Sequence, residues 1–356
     1  MLKSIEAFII ILCVILTAFI ILQEKQRMLP EQSNRVISTT AYAKIPTQTT
    51  ARISGPVSYT APASAGVEKP ARVISSNSVS PATHKSMNTS TVSSAAILKW
   101  GAYVGDAQNN LSDFESLVGK PVNILAVFAG WDNYFPSQFQ AKVGQKGKTL
   151  LIFWEPDFGY DSIIDGSHDD YIKKFASDAA SYRYPVILVP FDEMNLNENA
   201  WGYGQNNNTA EKFITAWIHI HNLFGNAKNV KFGLAYNNVS VPDESGNQYK
   251  DYYPGDAYVD YVGVDGFNFN DPPQTFSQIF NGPIQQLQAY NKPIYIFSMA
   301  DISGPGKDVW ITDGLGSEIK NYRNLAGWIW FNQGGNPNWL IDSDSSSLQA
   351  FKSVLP

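Results

Sequence analysis

The chain is 356 residues long with a formal charge of −6 and 44% hydrophobic residues, enough for one large domain or two ordinary ones. The charge is uneven: eight basic and three acidic residues lie between 23 and 95, against 17 basic and 28 acidic beyond 95. An acidic globular part excludes nucleic acid as the expected partner, because phosphate binding needs a basic face. The single cysteine, Cys13, excludes an internal disulfide or a Cys-based metal cluster.

In chain order, residues 7–22 (AFIIILCVILTAFIIL) come first, an uninterrupted apolar run. As a helix it reaches about 24 Å, short of a ~30 Å hydrocarbon core unless Ile5 and the stem of Lys25 extend the match. The run ends in Ile20-Ile21-Leu22-Gln23-Glu24, not in the small residues a signal peptidase needs. A signal-anchor over residues 1–27 is therefore expected, meeting the membrane through residues 5–22; a cleaved signal peptide stays open. Residues 28–96 are rich in Ser, Thr, Ala and Pro and hold no Trp or Phe. Such a stretch cannot bury enough apolar area to offset its ordering entropy, and a disordered linker holding the rest at the cell surface or outside is expected.

From residue 97 the texture changes. Short apolar runs fall at 100–105, 122–130, 149–154, 186–191, 230–236, 258–267, 293–299 and 325–331. Amphipathic stretches at 169–182, 210–224, 275–290 and 346–355 lie between or after them. Eight strands alternating with helices over 97–356 predict an α/β fold, a single (β/α)₈ TIM barrel. An open doubly wound sheet usually shows a Gly-rich turn after its first strand, and Gly105-Asp106-Ala107-Gln108 is not one.

In such a barrel the site lies at the C-terminal ends of the strands. The polar residues and Trp ending the predicted strands are Asp106; Trp131 and Asp132; Glu155 and Asp157; Asp192, Glu193 and Asn195; Asn237 and Asn238; Asp265 and Asn268; Ser298 and Asp301; Asn332 and Gln333. Neither His nor Cys is among them, so no metal, no cofactor and no Ser-His-Asp triad is expected. Carboxylates and amides beside Trp rings suit a sugar, whose C–H face lies on an aromatic plane while its hydroxyls bond the polar groups. Trp131, Trp154, Trp201, Trp330 and Trp339 are the candidate platforms, with core packing equally open for each, and the first four are expected to line the cleft; Trp217, mid-helix, is expected in the core.

The blocks LIFWEPD (151–157), IIDGSHDDYIKKFA (163–176), PVILVPFDEMN (185–195), FITAWIHIHNLF (213–224), YVDYVGVDGFN (258–268), KPIYI (292–296) and AGWIWFN (326–332) occur in that order. Over about residues 98–356 they resemble glycoside hydrolase family 26, barrel enzymes acting mainly on β-mannans and mixed-linkage β-glucans. The resemblance implies a polysaccharide partner and makes Glu193 the general acid/base. It puts the family nucleophile at Ser298, the family's sixth-strand Tyr at Phe267, the His before the acid/base at Asp192, and an Arg at Val189. Ser298 is a weak nucleophile without a base beside it. Three readings stay open: a β-glycan hydrolase with a relocated second carboxylate (Asp301, Asp192, Asp265 or Glu155), a glycan-binding pseudoenzyme, or a scaffold for an envelope or adhesion protein. The expected substrate-binding residues are Trp131, Trp154, Glu155, Asp192, Asn195, Trp201, Asp265, Phe267 and Trp330.

Overall fold

The structure is a computed structural model that describes residues 98–105, 110–140, 142–225 and 227–356. The expected membrane segment and linker, and Asp106, lie outside the described residues. Eight parallel strands close into a barrel in sequence order: β1 (Lys99–Tyr103), β2 (Ile124–Gly130), β3 (Thr149–Glu155), β4 (Val186–Pro190), β5 (Val230–Asn237), β6 (Tyr261–Asn268), β7 (Ile294–Asp301) and β8 (Leu325–Phe331). Pairing of β1 with β8, from Lys99 against Gly327 to Tyr103 against Phe331, completes the ring.

The helices are α1 (Asn110–Val118), α2 (Asp161–Ile164), α3 (Asp169–Tyr182), α4 (Ala210–Leu223), α5 (Phe276–Leu287), α6 (Lys307–Gly316) and α7 (Ser345–Val354). Short polar side chains start several of them. Thr209 accepts from the Lys212 amide at the head of α4, Thr275 and Gln278 form a capping box on α5, and Asp344 accepts from the Ser347 amide on α7. The pattern departs from a helix after every strand. Between β2 and β3 the described residues carry two 3₁₀ turns, Ser137–Phe139 and Gly144–Lys146, while α2 and α3 both lie between β3 and β4.

Period-two alternation decides which side chains fill the barrel. A Cβ on Gly233 or Gly263 would meet the Phe297 ring at 2.7 or 2.3 Å, so that ring occupies the interior and these strands must be bare there. A Cβ on Gly266 would meet Ile279 and Phe280 of α5, so Gly266 faces the helices and its neighbours Asp265 and Phe267 face inward. Register slips between Val264 and Asp265 in the β6–β7 pairing, and between Ile296 and Met299 in the β7–β8 pairing. Such bulges re-aim side chains at barrel rims. Here they turn Ser298 to the same side as Asp265, its register partner.

Candidate active site

At the C-terminal mouth, successive strand ends contribute Glu155 from β3, Asp192 and Glu193 just after β4, Asn237 from β5, Asp265 from β6 and Ser298 from β7. Asp192, Glu193, Asn237, Asp265 and Ser298 are buried, while Glu155 keeps part of its surface in solvent. Backbone strain aims the β4 pair. Phe191 and Glu193 have φ of 57° and 55°, a region that costs a non-Gly residue on the order of 1–3 kcal/mol. The strain is held from both sides. The Glu193 amide donates to the Ala235 carbonyl at 3.0 Å, and the Trp201 indole donates to the Asp192 carbonyl at 2.8 Å.

Glu193 Oε1 accepts from Asn237 Nδ2 at 2.9 Å. Asn195, fully buried, clamps that donor: its Nδ2 donates to the carbonyls of Asn237 (3.0 Å) and Val239 (2.9 Å), and its Oδ1 accepts from the Asn237 amide (2.9 Å). Asn195 thus acts on the site through Asn237, and the expectation that it meets substrate is corrected: every strong bond it makes goes to the backbone.

Burial and crowding raise the carboxyls together. Burial and then the charges of Glu193 and Asp157 push Glu155 up to about 8. Asp192 is held well above the usual carboxylate range by burial, then by Glu155, Glu193 and Asp265. Asp265 is raised by burial and then by Glu193, opposed by the Ser298 amide that donates to it. Asp192 and Asp265 each keep a buried Oδ1 with no hydrogen-bond partner in the protein. Carboxyls raised together beside Glu193 form a crowded acid cluster, the kind of setting acid–base bond cleavage uses.

Three of the four expected Trp platforms do not line this mouth. Trp154 is fully buried on the outer face of β3, 4.5 Å from Phe175 on α3, with its indole donating to the Tyr171 hydroxyl at 3.2 Å. Trp330 is fully buried on the outer face of β8, 5.3 Å from Phe351 on α7. Trp131 stacks at 4.3 Å on the outward-facing Trp154 and is buried there. The reason is parity: each lies on or against the face that meets the helix layer. Trp201, also buried, braces the β4 end through its bond to the Asp192 carbonyl. Asp301 is also turned away. It pairs in register with outward-facing Asn268, takes a bond from Asn270 at 3.3 Å and lies beside Lys307, so it is not the relocated second carboxylate.

The aromatic wall of the mouth comes instead from Tyr103, Phe128, Phe269 and Phe331, which the sequence did not single out, together with Phe267 and Trp339, which it did. Tyr103 stacks on Phe331 at 5.1 Å, meets Phe128 edge-on at 4.9 Å, and Phe267 meets Phe331 at 5.6 Å and Trp339 at 5.2 Å. Phe269 leans on Trp339 at 5.1 Å. Phe128 and Phe269 keep part of their surfaces exposed. The available signal was alternation in LAGWIWF: once Trp328 and Trp330 face out, Phe331 faces in. Phe267 faces inward on β6, two residues from Asp265, and packs on this wall.

Residues 159–344 match the family model described as glycosyl hydrolase family 26. The chain is 33% identical over 275 residues to endoglucanase H of Acetivibrio thermocellus, covering 72% of this chain and 30% of that protein, so it spans less than a third of that relative's length. The barrel is similar to the GH26 β-mannanase of Bacteroides ovatus (TM-score 0.56, 14% identity, 72% of this chain and 88% of that one). It is similar also to the catalytic domain of the Bacillus sp. JAMB-750 GH26 endo-β-1,4-mannanase (TM-score 0.56, 16% identity, 72% and 85%). With more than half of its length matched in one continuous stretch, the chain belongs to glycosyl hydrolase family 26.

Proposed function

We propose that the chain hydrolyses O-glycosyl bonds in a β-linked polysaccharide of the β-mannan or β-glucan class, with Glu193 as general acid/base. The observation that carries this is Glu193 itself: a carboxyl held in a strained backbone position at the barrel mouth, bonded by Asn237 and set among carboxyls whose proton affinity burial and mutual charge raise. Family membership and the names of the relatives support the substrate class. In this reading the Phe128, Phe267, Phe269 and Phe331 rings take the apolar sugar faces and Glu155 and Asp192 take hydroxyls. The apolar run at 7–22 and the Ser/Thr/Pro-rich stretch after it support action at the outer face of a membrane, tethered through residues 1–27.

A second reading rests on one residue. With Ser298 where the family resemblance puts a nucleophile, the mouth would bind a β-glycan and leave it intact. Electrophoresis of the whole chain through gels containing mixed-linkage β-glucan or β-mannan, followed by chromatography of the glycan, separates the two. Retarded migration with shortened glycan is the expected result. Retardation with intact glycan supports the binding reading, and no retardation with no products removes both.

A further inference from the structure

We propose that Val239, on the rim just after β5, forms the apolar contact for the sugar that departs with the glycosidic oxygen; this rests on the hydrolase reading above. Tyr134, Val239 and Val309 are the large apolar side chains left exposed among the described residues, Val239 at 41%. Tyr134 lies beside Lys174 of α3 and Val309 stands on α6, whereas Val239 is bonded into the network that holds Glu193. Its amide donates to Asn237 Oδ1 at 3.0 Å, and Asn237 Nδ2 donates to Glu193 Oε1 at 2.9 Å. The two bonds meet at opposite ends of one carboxamide, about 2.2 Å across. The Val239 amide nitrogen therefore lies no more than roughly 8 Å from the Glu193 carboxyl, within reach of a sugar next to the bond that Glu193 protonates.

The rim is fastened to the same residues that fix Glu193. Asn195 Nδ2 donates to the Val239 carbonyl at 2.9 Å, and the Asn195 carbonyl accepts from the Val241 amide at 2.9 Å and from Asn247 Nδ2 at 3.0 Å. The Asn238 amide donates to the Asp265 carbonyl at 2.8 Å. Asn195 and Asn247 are fully buried, so these bonds are shielded from water. A sugar that meets Val239 thus meets backbone already in place, and little ordering opposes binding there.

Position around the barrel assigns the sugar. The aromatic wall is built on β1, β2, β6 and β8, and in a ring of eight strands β5 stands opposite β1. A glycan lying across the mouth rests on the wall at one end and passes Glu193 toward β5 at the other. The sugar whose carbon is attacked sits down among the buried acids, which leaves the exposed rim for its neighbour. Glu193 gives its proton to the oxygen between the two, and the rim sugar departs with that oxygen. A pyranose has an apolar C–H face, and an exposed branched side chain on fixed backbone complements it.

The test gives the whole chain two substrates. One is β-glucan or β-mannan polymer, whose leaving group is a sugar; the other is the matching β-glycobiosyl fluoride, whose leaving group is fluoride alone. Val239→Asn is neutral and exposed, so it adds no charge to the acids and opens no cavity. In that variant the ratio of kcat/KM for polymer to kcat/KM for fluoride should fall ~3–10-fold. Val309→Asn, the same change on α6, should leave the ratio at its wild-type value. A ratio unchanged in Val239→Asn, or one that falls equally in Val309→Asn, overturns the assignment and leaves the hydrolase reading standing. A wild-type chain that cleaves neither substrate overturns both.

Discussion

Glu193 shows how little room one residue needs to carry a site. Its positive φ, its bond from Asn237 and the clamp of Asn195 on that donor form one connected unit. Glu193→Gln keeps the shape and loses the transferable proton; kcat on unactivated glycan should fall at least ~10²-fold with little change in KM. Asp192 carries the opposite trade. It is a buried acid crowded by three others, so Asp192→Asn should relieve repulsion and raise the melting temperature by about 2–4 °C near neutral pH. Calorimetry of the two variants beside wild type checks this, and an unchanged or lower melting temperature for Asp192→Asn contradicts it. The position of Glu193 at the end of β4 was legible from the PVILVPFDEMN block. The strain at Phe191 and Glu193 was not, because neither residue type prefers positive φ and only the folded surroundings impose it.

At the scale of elements, all eight strands fall where short apolar runs lie, since a strand buried on both faces reads as near-continuous apolar sequence. The same property hid the direction of the side chains. In TLLIFWE and LAGWIWF nothing polar marks a face, so Trp154 and Trp330 read as plausible rim residues until the glycines and helix contacts fix the parity. The β2–β3 connection and α6 were illegible for a different reason: the first has no helical period, and the KDVWITDGLG of α6 lacks a clean apolar stripe. Trp154 now belongs to the joint between β3 and α3. Trp154→Ala should cost ~3–5 kcal/mol in stability, while kcat measured well below the melting temperature stays close to wild type. A loss of kcat with stability intact would return Trp154 to the sugar site.

For the whole molecule, the cost of gathering acids at one mouth should be visible in its pH dependence. A carboxyl raised in the folded state stabilises the fold below its unfolded pKa, and that contribution is lost as pH rises through the folded value. For Glu155 the window runs from 4.5 to about 8, and for Asp301, raised mainly by burial, from 3.8 to about 7. Asp192 and Asp265 act in the same direction. Asp344, lowered to about 2 by its bonds to Ser346 and Ser347 at the head of α7, works the other way, losing its contribution as pH falls below 3.8. The melting temperature should therefore be highest near about pH 4–5 and decline toward about pH 8. A flat or rising profile over that span contradicts the raised carboxyls.

The central claim is that this acid cluster cleaves a β-glycan through Glu193. The most direct measurement counts new reducing ends when the whole wild-type chain and its Glu193→Gln variant are incubated with mixed-linkage β-glucan and with β-mannan. The account predicts release by wild type on at least one polymer and a rate at least ~10²-fold lower for the variant. Equal rates for the two proteins, or no release by either, would contradict it.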